Sequence, residues 1–164
     1  MKQSIVRAGC VATLVLGLEA VASAQGRPAC SSARLAAESG FTFTGSVITP
    51  TGTAVPFAAV GTMSFDADGN VSGALDRSLG GQVAKETFSG TITVNPDCSG
   101  AMTVELYDQL GNKLRTAEWA FVVDDDGSEV RGLMTSLVLT DGTRLWPIVT
   151  VQARRLFGNQ RVVR

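Results

Sequence analysis

The chain has 164 residues, 45% of them hydrophobic and 18% charged, with a formal net charge of −1 and no histidine. So balanced a charge excludes nucleic acid or an anionic membrane surface as an electrostatic partner. The missing histidine removes the commonest general base, proton shuttle and metal ligand together, so no triad of the Ser-His-Asp or Cys-His kind can be assembled.

The first residues read as a leader. Lys2 and Arg7 supply a positive start, Ala8 to Leu18 an apolar stretch of signal-peptide length, and Ala22-Ser23-Ala24 a small-x-small cleavage site. As a membrane anchor the run is too short, and Glu19 interrupts it. Residues 1–24 are therefore expected to be a signal peptide, the mature chain to start at Gln25, and the product to be exported, either periplasmic or secreted. No transmembrane segment is expected in the mature chain. Removing Lys2, Arg7 and Glu19 leaves 12 basic and 14 acidic side chains, a net of −2. The remaining length, about 140 residues, suits one domain with a proper core.

Residues 25–40 form a lead-in. Ser31 to Ser39 has helical composition, with Ser31 or Ser32 as N-cap and Gly40 as a stop. Two cysteines survive cleavage, Cys30 in this lead-in and Cys98 in a later turn. In an oxidising compartment they read as one disulfide, with two unrelated thiols as the alternative. Such a bond would staple the lead-in to a barrel rim and contribute about 2–4 kcal/mol. A lipidation site is a poor reading, because the polar, rigid Arg27-Pro28-Ala29 precedes Cys30.

From Phe41 onward one short strand follows another, over 41–48, 55–65, 70–77, 86–94, 100–107, 114–123, 129–139 and 144–155. Turns such as Ala67-Asp68-Gly69-Asn70, Gly111-Asn112 and Asp141-Gly142 close them. The connections leave no room for crossover helices. An all-β fold follows: an eight-stranded antiparallel up-and-down β-barrel over 41–156, since closure removes the edges of an open sheet. Leu79 to Lys85 is the longest connection and a candidate flap, although a plain hairpin end is the simpler reading. Residues 157–164 are expected to be a flexible tail.

Alternation sorts the faces. Phe57, Ala59, Gly61, Met63 and Phe65 share one side of their strand, and Phe88, Ile92 and Val94 one side of theirs. Met102, Val104 and Leu106 do the same, as do Ala117, Trp119, Phe121 and Val123. The opposite faces are small, hydroxylated or charged. If the apolar face lines the lumen, Phe57, Met63, Phe88, Met102, Trp119 and Phe121 are the candidate ligand contacts. An eight-stranded barrel is either packed solid or wide enough for one small ligand. If that face points outward, an oligomer must cover it.

Two hairpins carry a resemblance. Pro56-Phe57-Ala58-Ala59-Val60-Gly61-Thr62-Met63-Ser64-Phe65-Asp66-Ala67-Asp68-Gly69-Asn70-Val71-Ser72-Gly73 and Phe88-Ser89-Gly90-Thr91-Ile92-Thr93-Val94-Asn95-Pro96-Asp97-Cys98-Ser99-Gly100 resemble a group of secreted bacterial proteins of unknown role. That resemblance implies a small calycin-like barrel, or one like those of allene oxide cyclases and dirigent proteins. Ala67 stands where the pattern often has Gly, and Ile92 where it often has Tyr. No activity is implied.

Chemistry-bearing residues are few. Asp66-Ala67-Asp68-Gly69-Asn70 has alternating oxygens but lacks the terminal bidentate acid of a calcium loop, so a hairpin turn is the better reading. No metal site and no cofactor motif is present. The weak catalytic candidates are Glu105, Tyr107, Glu118 and Arg131, with Arg115 joining them only if register shifts. A carboxylate beside an arginine in a lumen could act as acid or base. Trp119 and Trp146 are expected in the core. Three functions compete. The first is an exported barrel binding a small hydrophobic or amphipathic molecule. The second is a cyclase, isomerase or lyase in which the candidates converge in a cavity. The third is a cell-envelope structural or assembly module with an apolar outer patch. The protein is expected to be a monomer or a small homo-oligomer.

Overall fold

The computed structural model describes residues 30–35, 37–124 and 127–156. The leader, its cleavage site and the 157–164 tail lie outside them. Eight antiparallel strands close into a barrel in sequence order. They are β1 (Ala37–Ile48), β2 (Ala54–Phe65), β3 (Asn70–Leu79), β4 (Gln82–Val94), β5 (Ser99–Tyr107), β6 (Lys113–Asp124), β7 (Glu129–Leu139) and β8 (Arg144–Arg155). A single helical turn, α1 (Ser32–Leu35), precedes them.

The apolar face turns inward throughout. Phe41, Phe43, Phe57, Met63, Phe88, Trp119 and Val149 are among the side chains buried along the axis. The rings are arranged in a chain: Phe41 stacks on Phe43, and Phe43 packs on Trp119, each pair at 4.5 Å between centroids. A lumen this narrow holds large rings only where the opposite strand gives way. Gly73 lies across from Phe88 and Gly100 across from Phe121. A Cβ on either glycine would come within 2.5 Å or less of the facing ring. Glycine paired with phenylalanine on the neighbouring strand thus makes room for the ring inside the barrel.

Turn chemistry repeats. Asp66 Oδ1 accepts the backbone N–H groups of Asp68 and Asn70, while Asn70 Nδ2 donates to Oδ2. Asp108 makes the same three bonds with Leu110 and Asn112. An Asp-x-x-Gly-Asn segment therefore folds into the same side-chain-capped hairpin turn twice. These bonds hold both carboxyls below the usual carboxylate range, the asparagine side chain being the largest cause in each.

Two expectations are corrected. The lead-in helix ends at Leu35, and Gly40 lies inside β1 rather than stopping a helix, because the chain from Ala37 pairs with β2. Of the two readings of Leu79–Lys85, the hairpin end holds and the flap does not. Gly80 and Gly81 both take positive φ, so they form a two-residue turn that carries the β3–β4 ladder to its tip.

The two barrel ends differ. The β2–β3, β4–β5 and β6–β7 turns, α1 and Leu156 gather at one, called the lower end. The remaining turns form the upper end. Cys30 and Cys98 are disulfide-bonded at the lower end, with Cα atoms 5.0 Å apart. Among the described residues no helix is long and apolar enough to cross a membrane.

Candidate functional site

The interior is almost full. Among the described residues, the voids toward its upper and lower ends measure about 20 Å³ each. Small-molecule pockets usually measure about 300–1,000 Å³, so either void has room for roughly one water molecule. The six candidate ligand contacts all face this interior: Phe57, Met63, Phe88, Met102 and Trp119 line the upper void, and Phe121 the lower.

One charged cluster is enclosed near the upper end. Glu86 on β4 is 2% exposed. Its Oε1 accepts from Arg77 Nε of β3 at 2.7 Å and from Arg115 Nη1 of β6 at 3.0 Å, and Arg115 Nη2 closes a second bond on Oε2. The β4–β5 ladder begins only at Thr87 and Tyr107, so Arg115 reaches Glu86 past the end of β5. The bidentate fork suits a guanidinium, and a carboxylate buried this deeply requires it. The cluster carries one carboxylate against two guanidiniums.

The catalytic candidates do not converge. Arg115 alone points inward, on the Trp119 face that alternation assigns it. Glu105 and Tyr107 lie on the outer wall, where the Tyr107 hydroxyl donates to Glu105 at 2.7 Å and Lys113 Nζ binds the same carboxylate at 2.5 Å. The Lys113 bond, then the Tyr107 bond, hold Glu105 below the ordinary carboxylate range. The Glu105 bond raises the Tyr107 phenol above its usual value. Glu118 is exposed opposite Thr103 and Ser136, and Arg131 is exposed and bonds Asp124. The common cavity required by a cyclase-like site is therefore missing: these four side chains stand on outward positions, while the lumen is filled by Phe, Met, Leu and Trp.

Trp146 corrects the expectation of two core tryptophans. Trp119 is 3% exposed and Trp146 51%. Proline at 147 takes the neighbouring inward-side position, leaving Trp146 on the outer wall beside Ile48 of β1.

From Trp146 to Gln152 on β8 and across β1 and β2 the wall carries no charge. Four successive rows across β8, β1 and β2 read Trp146–Ile48–Ala54, Ile148–Ser46–Pro56, Thr150–Thr44–Ala58 and Gln152–Thr42–Val60. Ile148 is 64% exposed and Val60 57%. Arg144 and Arg154 flank the patch on β8. The small, hydroxylated or charged character that alternation assigns to the outer faces does not mark this patch. The signal was present in Trp146 and Ile148, which share one face of β8.

No protein-family model matches the chain, and no curated protein sequence does either.

Proposed function

We propose that this protein is a non-catalytic, exported assembly module whose copies associate through the uncharged outer face of β8, β1 and β2. The observation that carries this reading is the patch itself: three adjacent strands present four rows without a charge, with Trp146, Ile148 and Val60 among the most exposed apolar side chains. Its first two rows are mostly apolar and the next two are threonine, glutamine, alanine and valine; interface centres are likewise depleted in charge and enriched in aromatics. A closed barrel has no free edge, so association must use a wall. The Cys30–Cys98 disulfide supports an oxidising compartment, and so export.

Trp146 supplies the test. Trp119 is buried, so acrylamide quenches mainly Trp146. Quenching should weaken as protein concentration rises from nanomolar to tens of micromolar. Quenching that is the same at every concentration refutes the reading.

A lumenal ligand is the second reading, and methionine favours it. Met63, Met102 and Met134 all line the voids, and methionine repacks more readily than branched side chains. With voids of about 20 Å³, a small apolar or amphipathic molecule enters only by displacing those side chains. Native mass spectrometry with hydrophobic-dye displacement tests it, and finding neither ligand nor competition rules it out.

A further inference from the structure

The lower void differs from the upper in one respect that decides its chemistry. Every side chain lining it is apolar, and one of them, Leu35, comes from outside the barrel wall. Leu35 is 4% exposed and is the only buried residue of α1. The short segment from Cys30 to Leu35 is strung between two anchors. At one end the disulfide ties Cys30 to the β4–β5 turn, and at the other the chain enters β1 at Ala37. Between them Arg155 Nη2 donates to the Arg34 carbonyl at 2.9 Å. Four helical residues have too few internal hydrogen bonds to persist alone. The position of Leu35 in the lower mouth therefore depends on these tethers.

We propose that this segment is a disulfide-latched lid over an apolar binding site, and that reduction of Cys30–Cys98 opens the site to a small uncharged apolar molecule. The inference rests on the lumenal reading and is independent of the outer wall. With Leu35 withdrawn, the volume of its side chain joins the void against Met63, Met102, Trp119 and Phe121. The enlarged site suits one aromatic ring or a short alkyl group. A charged ligand is excluded, because nothing in the lining could replace its water. The chemistry balances as ordinary thiol–disulfide exchange. An external dithiol gives two electrons and two protons and is oxidised to its own disulfide, and Cys30 and Cys98 become thiols.

The test uses the mature chain with 13C-labelled methionine methyl groups and fluorobenzene as the probe. In the oxidised protein no methionine signal should shift on titration. After reduction the Met63 and Met102 signals should shift saturably, with Met134 changing less because it lines only the upper void. Affinity should rise at least tenfold over the oxidised form. Cys30→Ser should behave like the reduced protein whatever the redox state, and Leu35→Ala should bind with the disulfide intact. Circular dichroism follows the barrel in parallel. A reduced protein that keeps its barrel and shows no saturable shift overturns the proposal. So does an oxidised wild type that binds as tightly as the reduced form. Loss of the barrel on reduction also overturns it, since the bond would then be a structural staple. None of these outcomes bears on concentration-dependent quenching of Trp146, so the two proposals fail separately.

Discussion

The two sides of the barrel solve different problems. On the side formed by β3 to β6, charges pair both within and without: Arg77, Glu86 and Arg115 inside, Asp76 with Lys85 and Glu105 with Lys113 outside. The four rows across β8, β1 and β2 have no charge at all and expose a tryptophan. Apart from the enclosed Arg77–Glu86–Arg115 cluster, both sides turn apolar side chains inward, so packing of the core does not account for the difference between the outer walls. A wall intended only for water would be charged on both sides, as the β3–β6 wall is. The contrast teaches that burial determines the inner positions of every strand, whereas the outer positions are free to differ and so carry the functional signal.

The largest effect that would sharpen this contrast is internal. Glu86→Ala leaves the Arg115 guanidinium buried without its carboxylate and should cost about 3–5 kcal/mol. Urea denaturation measures it. Replacing the whole cluster, as Glu86→Leu with Arg77→Met and Arg115→Met, should recover most of that loss, because well-packed apolar side chains can substitute for a buried ionic triad. Neither change should alter self-association by the opposite wall. If the folded Glu86→Ala protein loses association, the two sides are not independent.

Next in size is the disulfide, whose removal by Cys98→Ser should lower stability by about 2–4 kcal/mol. The barrel should remain folded in the absence of denaturant.

Acid should act through the turns and surface pairs. Asp66, Asp108, Asp97, Asp141, Glu105 and Glu129 all have carboxyls held below their ordinary values, for Glu129 chiefly by Arg154 and then Gln152. A carboxyl lowered in the folded state contributes stability that is complete above its unfolded pKa and is lost as pH falls through the folded one. Unfolding midpoints in urea should therefore be flat near neutrality and decline steadily below about pH 4–5. A midpoint that rises on acidification would contradict the sign of all six.

The smallest effect lies on the charged wall. Lys113→Met removes an exposed ion pair and should cost under about 1 kcal/mol. Its signature is spectroscopic. Tyr107 is the single tyrosine of the chain, so phenolate absorbance titrates it alone, and its midpoint should lie above the usual value of about 10. Glu105→Gln should bring that midpoint down.

Most of the fold was legible because alternation and turn residues act locally. Phe57, Met63 and Phe65 on β2, or Trp119, Phe121 and Val123 on β6, announce their face without reference to any partner. The Asp-x-x-Gly-Asn turns are equally local. What was not legible depended on facing partners. Glu86 falls on the Phe88 face and Arg115 on the Trp119 face, so two opposite charges on inward faces signalled a buried pair. Seeing the pair also required knowing that β5 ends at Tyr107 and lets Arg115 pass. The outer patch was missed for a related reason: Trp146 is distant in sequence from Ile48 and Ala54, and the three become one surface only when β8 closes against β1. The hairpin end at 79–85 was legible, but its tightness was not: Gly80 and Gly81 in succession at positive φ make a two-residue turn.

Light scattering of residues 25–164, run beside an Ile148→Glu variant, tests the central claim most directly. The account predicts a wild-type mass of at least two chains and a variant mass of one, with urea midpoints that agree within about 0.5 kcal/mol of stability because position 148 faces outward. A wild type that stays at the mass of a single chain at high micromolar concentration, or a variant that associates as well as the wild type, would contradict it.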